Sequence, residues 1–181
     1  LLDISRLESG KLETNIRNFK LYEVMHNLNA EFSALAKQQQ IDFHMVPSEL
    51  IVQSDPKLLR RVLQNFLTNA FRYNPKGKVL LGVRRVNGRV RIEVWDNGVG
   101  IVPEKQSEIF EEFTRGDPNH VSQGLGIGLA ISRGIARVLN HQIGLRSWPD
   151  EGTVFSITLE RGEIVEAEPA IAACKSTVCR Q

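Results

Sequence analysis

Asn65, Asn69 and Arg72 follow one another at spacings of four and three, which on a helix lines them up along one face. Asparagine is a poor helix former because its side chain competes for backbone hydrogen bonds, so two in one helix interior ask for a reason. Amide carbonyl oxygens suit a hard cation and a guanidinium one turn on suits phosphate; the alternative is a solvated helix surface. A second group is Trp95-Asp96-Asn97-Gly98-Val99-Gly100-Ile101. Strand alternation gives Val90, Ile92 and Val94 one face and puts Asp96 in the same inward phase. A carboxylate facing a core is costly without a partner; a ligand amine would supply one, while the glycines let backbone approach the ligand. A plain hairpin turn at Asp-Asn-Gly is disfavoured, since Val102-Pro103-Glu104-Lys105 does not begin a returning strand. The third group, Gly124-Leu125-Gly126-Ile127-Gly128-Leu129, leads into a helix whose first backbone N–H groups can hold an anion such as a phosphate chain. It is neither a P-loop, which needs Gly-Lys-Ser/Thr, nor a dinucleotide fingerprint, which follows a strand directly.

These residues need elements to hold them. Ser54-Asp55-Pro56 opens a helix to about Tyr73 with Pro56 at its first position, and Leu59, Val62, Leu63, Phe66, Leu67 and Ala70 form its buried stripe. Asn74-Pro75-Lys76-Gly77 then turns the chain into strands Val79 to Val86 and Val90 to Asp96, joined at Asn87-Gly88-Arg89. Ile127 to Leu139 reads as a helix, and Gln142 to Trp148 with Thr153 to Leu159 as a second hairpin around Pro149-Asp150-Glu151-Gly152. Upstream, Leu21 to Gln38 has helical spacing, Ile41 to Val46 and Leu50 to Val52 are strand candidates, and residues 11–20 form a connector with a short strand. Leu1 to Gly10 reads as the end of a helix. Thr114 to Gln123 is a polar loop suited to a mobile lid anchored by Phe110 and Phe113, whose alternative role is core packing. From Arg161 the composition shifts to that of a linker or disordered tail.

With 181 residues and 41% hydrophobic content the chain can build one core. Its net charge of +2, from 23 basic and 21 acidic residues mixed along the chain, gives no field for nucleic acid; Arg84, Arg85, Arg89 and Arg91 read as a solvated hairpin face. Cys174 and Cys179 are free thiols in the tail, without the second pair or histidines that a zinc site needs, which fits a reducing cytoplasm. No apolar run approaches the roughly 18 residues of a membrane helix, so any anchor of a parent protein lies elsewhere.

In this order the motifs resemble the catalytic domain of sensor histidine kinases, within the superfamily that includes DNA gyrase, the Hsp90 chaperones and MutL. Leu58 to Tyr73 is similar to the asparagine box, Asp96 to Ile101 to the first glycine box, Ile109 to Arg115 to the phenylalanine box and Gly124 to Leu129 to the second glycine box. Gly152-Thr153-Val154-Phe155 resembles the last, weaker glycine motif, and the likeness covers about residues 1–160. The resemblance implies a two-layer α/β (α+β) sandwich, a mixed β-sheet covered on one face by helices, with ATP between the helices and a mobile lid. Asn69 would supply the Mg²⁺ ligand, Asp96 would accept from the adenine amino group, Tyr73 would pack near adenine, and Arg72 would stand where the family commonly has a lysine near the phosphates. Arg115 would be a phosphate contact from the lid. Asn65, Gly98, Gly100, Ile101, Gly124, Leu125, Gly126, Gly128, Leu129 and Thr153 would complete the nucleotide-binding set, with Asn69 and Arg72 acting in transfer.

Leu1 to Leu12 resembles the end of the family's dimerisation helix, with the catalytic domain over 13–160 and a linker or tail over 161–181. None of His26, His44, His120 and His141 has the family's phosphoacceptor context, so the resemblance implies a domain that passes the ATP γ-phosphate to a histidine upstream, for relay to a receiver aspartate. The parent would be a homodimer, either a simple or a hybrid kinase. The ATP-hydrolysing clamps carry a glutamate where this chain has Asn65, which cannot serve as a base. A non-catalytic nucleotide-binding regulatory module is the third reading, though the key Asn, Asp and Gly positions are all present.

Overall fold

A computed structural model describes residues 13–110 and 128–163. The expected opening helix segment 1–12, the lid with Phe113, Arg115 and His120, the glycine-rich residues Gly124, Leu125, Gly126 and Ile127, and the tail from 164 with both cysteines lie outside the described residues.

The elements run β1 (Arg17–Lys20), α1 (Tyr22–Gln39), β2 (Asp42–Met45), β3 (Ile51–Ser54), α2 (Pro56–Arg72), β4 (Lys78–Val86), β5 (Arg89–Asp96), α3 (Pro103–Gln106), a 3-10 turn (Glu108–Phe110), α4 (Gly128–Val138), β6 (Gln142–Trp148) and β7 (Gly152–Leu159). Five strands form one sheet in the order β2-β4-β5-β7-β6. The β2–β4 pair is parallel and the other three are antiparallel. The hairpin between β4 and β5 turns at Asn87 and Gly88, both at positive φ (50° and 78°), the backbone that a tight two-residue loop requires.

α2 forms because Asp55 caps it: its Oδ1 accepts from the backbone N–H of Lys57 at 2.9 Å and of Leu58 at 3.1 Å, with Pro56 at the first position. Its expected stripe is buried, extended by Phe71. Each large side chain on it contributes roughly 1.5–3 kcal/mol of transfer free energy before entropy. The facing sheet residues are Val79, Leu81, Ile92, Val94, Phe155 and Ile157, all buried, and Phe66 stacks on Phe155 with ring centroids 5.2 Å apart. α1 closes the same side, its Phe32 meeting Phe71 edge-on at 5.1 Å. The result is the expected two-layer sandwich with a mixed sheet.

Two features were not in the sequence reading. β2 and β3, both anticipated as strands, belong to different sheets: β3 pairs antiparallel with β1 in a separate two-stranded sheet. Residues 161–163, expected to open a linker, are instead tied to the fold: Arg161 bridges Val52, Gly162 N–H donates to Ile51 O at 2.9 Å and Asn18 Nδ2 donates to Glu163 O at 2.6 Å. Backbone pairing with β3 outweighs the composition shift there.

Candidate nucleotide site

Asn65, Asn69 and Arg72 are half-buried on α2, on the side next to its buried stripe. Asn65 Nδ2 donates to Gly128 O at 2.8 Å and to Ser132 Oγ at 3.0 Å. A carbonyl only accepts, so this contact fixes the amide's orientation: nitrogen toward α4, oxygen left over. Ser132 is fully buried and its hydroxyl donates to Gly128 O at 2.9 Å. Asn65 thus clamps the first turn of α4 against the middle of α2.

The other end of α2 meets the turn after β5. Tyr73, exposed by 44%, follows the helix, and a Cβ on Gly98 would come within 2.5 Å of its carbonyl oxygen, so only glycine fits there. Buried Asn74 donates through Nδ2 to Lys78 O at 2.8 Å and to Asn97 Oδ1 at 3.1 Å, joining the two turns. From Asn65 to Tyr73 the helix advances about 12 Å. Asn69 sits midway. Gly128 borders one end of this span and Gly98 the other.

Asp96 ends β5 opposite Val79 and Thr153, on the inward phase that alternation predicts. It is half-buried, and its carboxylate accepts the Gly98 N–H at 2.9 Å. Desolvation pushes its pKa from 3.8 up to about 6, against the opposing pull of backbone hydrogen bonds from Gly98 and Thr153. No ion pair to Asp96 occurs among the described residues, so its charge is held by backbone donors in a partly dry setting. A ligand amine fits that carboxylate. Among the described residues no group of three His, Cys, Asp or Glu gathers to hold a metal, so a cation here would rely on amide oxygen and ligand oxygens.

Gly100 and Ile101 are positioned by residues the sequence reading passed over. Gly100 has φ of +66°, and a Cβ there would lie 2.0 Å from Trp148 O. Ile101 N–H donates to Ser147 Oγ at 2.8 Å, and Gln106 Nε2 donates to Ile101 O at 2.9 Å and Ser147 O at 3.0 Å. Thr153 is buried with its hydroxyl 2.8 Å from Ser147 Oγ, so that side chain serves the β6–β7 end. The short α3, with Pro103 at its start, was the available signal for this support. Leu129 is half-buried against the core. The described histidines have local partners: His26 stacks on Tyr22, His44 pairs with Asp42 at 2.9 Å, and His141 Nε2 lies 2.8 Å from Ser54 Oγ.

Residues 54–163, more than half of the 181, match the family described as histidine kinase-, DNA gyrase B- and HSP90-like ATPase. The chain belongs to this family. It is 32% identical over 171 residues to the sensor-like histidine kinase SenX3 of Mycobacterium bovis, covering 92% of this chain and 41% of that protein. It is 31% identical over 159 residues to the sensor protein KdpD of Rathayibacter rathayi, covering 88% and 18%. The chain therefore spans less than half the length of these curated relatives. Among solved structures, full-length ShkA in complex with AMPPNP superposes with a TM-score of 0.79 at 25% identity, over 91% of this chain and 35% of that one. The catalytic domain of histidine kinase ThkA gives 0.71 at 26% identity, over 82% and 97%. As a member of the family the chain is an ATP-binding domain of histidine kinase type, with the catalytic-domain fold.

Proposed function

We propose that this chain is the part of a two-component sensor histidine kinase that holds ATP-Mg²⁺ and presents the γ-phosphate to a histidine on an upstream dimerisation domain, for relay to a receiver aspartate. The observation that carries the reading is the half-buried Asp96, without a cationic partner among the described residues, at the end of a span of α2 whose other end borders Gly128. On this reading Asp96 accepts from the adenine amino group beside Gly98, Gly100 and Ile101, with Tyr73 alongside. Asn69 offers its carbonyl oxygen to Mg²⁺ at mid-helix and Arg72 lies toward phosphate. Arg115, Gly124, Leu125, Gly126, Gly128 and Leu129 enclose the phosphate end. ATP supplies the phosphoryl group; the chain's own work is to orient it and balance its charge.

Asn65 argues against a hydrolytic clamp. Its amide is spent on Gly128 and Ser132 and has no basic group to activate water. Thr153 is proposed to act through the strand end that carries Asp96. Residues 1–12 are proposed as the close of the dimerisation helix, which makes the intact protein a homodimer, and the chain beyond 163 as a link toward a receiver in a hybrid kinase. No helix among the described residues is long and apolar enough to cross a membrane, and a membrane anchor is proposed for another part of the protein.

The test is transfer in trans. Mixed with labelled ATP, Mg²⁺ and a histidine-bearing dimerisation domain, the chain should yield base-stable, acid-labile phosphohistidine, and Asn69→Ala should reduce the rate at least a hundredfold. Release of inorganic phosphate at the same rate with or without the acceptor would favour the clamp. Nucleotide binding without any transfer would favour a regulatory module.

A further inference from the structure

Ser147, Thr153, Asp96 and Val79 form one row across β6, β7, β5 and β4, each directly opposite the next, so their side chains share the inward face of the sheet. Ser147 and Thr153 are buried and Asp96 is half-buried. The number of available protons fixes the hydrogen-bond order along this row. Ser147 Oγ lies 3.0 Å from Gly152 O, 2.8 Å from Thr153 Oγ1 and 2.8 Å from Ile101 N. A carbonyl only accepts, so the single Ser147 proton goes to Gly152 O, and the Ile101 N–H fills one of the two lone pairs on Ser147 Oγ. The second lone pair is left for Thr153, whose hydroxyl must therefore be the donor to Ser147. That proton points away from Asp96, which flanks Thr153 on its other side. Asp96 keeps the backbone N–H groups of Gly98, at 2.9 Å, and Thr153 as donors, and no charged side chain enters the causes of its raised pKa.

We propose that Ser147 is a positioning residue of the nucleotide site: by taking the Thr153 proton it keeps that hydroxyl off Asp96, whose carboxylate is thereby reserved for a ligand amine, and by accepting from Ile101 it fixes the turn alongside. Ser147 acts through these two neighbours. A Thr153 hydroxyl released from Ser147 would turn to Asp96, since directly opposed residues of paired strands hold their Cβ atoms about 4.5–5.5 Å apart. It would then fill a lone pair that the amine needs, and by bonding the charged form it would pull the carboxyl pKa down. The consequence for ligand binding rests on the nucleotide reading; the proton order does not.

Carboxyl-carbon NMR of Asp96 in the nucleotide-free chain, titrated between about pH 3 and 8, together with calorimetric titration by ATP and Mg²⁺, tests this. Thr153→Val, which keeps the shape and loses the hydroxyl, should leave the Asp96 pKa where the chain has it, at about 6. Ser147→Ala should lower it toward 3.8, and adding Thr153→Val to Ser147→Ala should bring it back, a rescue that mere loosening of the strand end would not give. ATP affinity should fall about tenfold in Ser147→Ala, the worth of one hydrogen bond, and recover in part in the double variant. A raised Asp96 pKa in Thr153→Val alone would mean that the hydroxyl already donates to Asp96 and would overturn the proposal, even where Ser147→Ala fails to fold. Equal pKa values in Ser147→Ala with and without Thr153→Val would overturn it too. Failure of ATP to bind while these pKa values hold would sink the nucleotide reading and leave the hold of Ser147 on Thr153 standing.

Discussion

At the scale of single residues, Asp96 carries two opposite pH dependences. Between 3.8 and about 6 the folded chain keeps a proton that the unfolded chain has released. Asp96 therefore favours the nucleotide-free fold at low pH, and that contribution is lost as pH rises through about 6. If Asp96 reads a ligand amine as proposed, ligand affinity should run the other way, because only the ionised carboxylate accepts fully from an amine. Thermal unfolding and calorimetric ATP binding between pH 4 and 8 should show both trends, and Asp96→Asn should flatten both. Gly100 is the second informative position. With φ of +66° and no room for a Cβ beside Trp148 O, Gly100→Ala should cost about 1–3 kcal/mol in denaturant unfolding. Asp96 was legible from strand alternation alone. Asn74, Ser147 and Gln106 were not, because polar residues that brace a turn through tertiary hydrogen bonds look in sequence like any loop residue.

At the scale of elements, the site depends on how α2 meets α4. Asn65 makes both of the described side-chain bonds from α2 to the start of α4, so it positions Gly128 and the first turn of that helix. Asn65→Ala removes two hydrogen bonds and leaves Ser132 short of a donor, costing about 1–3 kcal/mol. If positioning is its role, the KM for ATP should rise more than kcat falls, whereas a transition-state contact would lower kcat alone. Ser132→Ala should show a weaker form of the same pattern. Both helices could be read from their stripes and from the Ser54-Asp55-Pro56 start. Their clamp could not: periodicity assigns a face to each helix without saying which faces meet, and Asn65 lies 63 residues from Gly128.

At the scale of the whole molecule, one sheet face is covered by helices and the other is partly sealed by its own side chains. Glu93, with a side chain only 3% exposed, pairs with Arg84 at 3.1 Å and Arg146 at 3.4 Å and accepts from Trp95 Nε1 at 2.9 Å. Both guanidiniums lie over the Trp95 ring. Glu93→Ala should destabilise the fold by about 1–3 kcal/mol, discounted for the exposure of both arginines, and leave ATP affinity unchanged. The sequence suggested a solvated arginine cluster on this hairpin, and Arg84 does stay exposed; what the sequence did not give is its pairing with Glu93, set by the β4–β5 register. The sandwich itself was legible, since hairpin turns and helix stripes are local. The β1–β3 sheet was not, since four-residue strands acquire their partners only in three dimensions. The account rests most heavily on Asp96 as the base-reading group of a nucleotide site. Calorimetric titration of the chain with ATP and Mg²⁺, beside Asp96→Asn with its fold verified by circular dichroism, tests that directly. The account predicts binding by the chain and at least a tenfold loss in the variant; equal affinity in the two would contradict it.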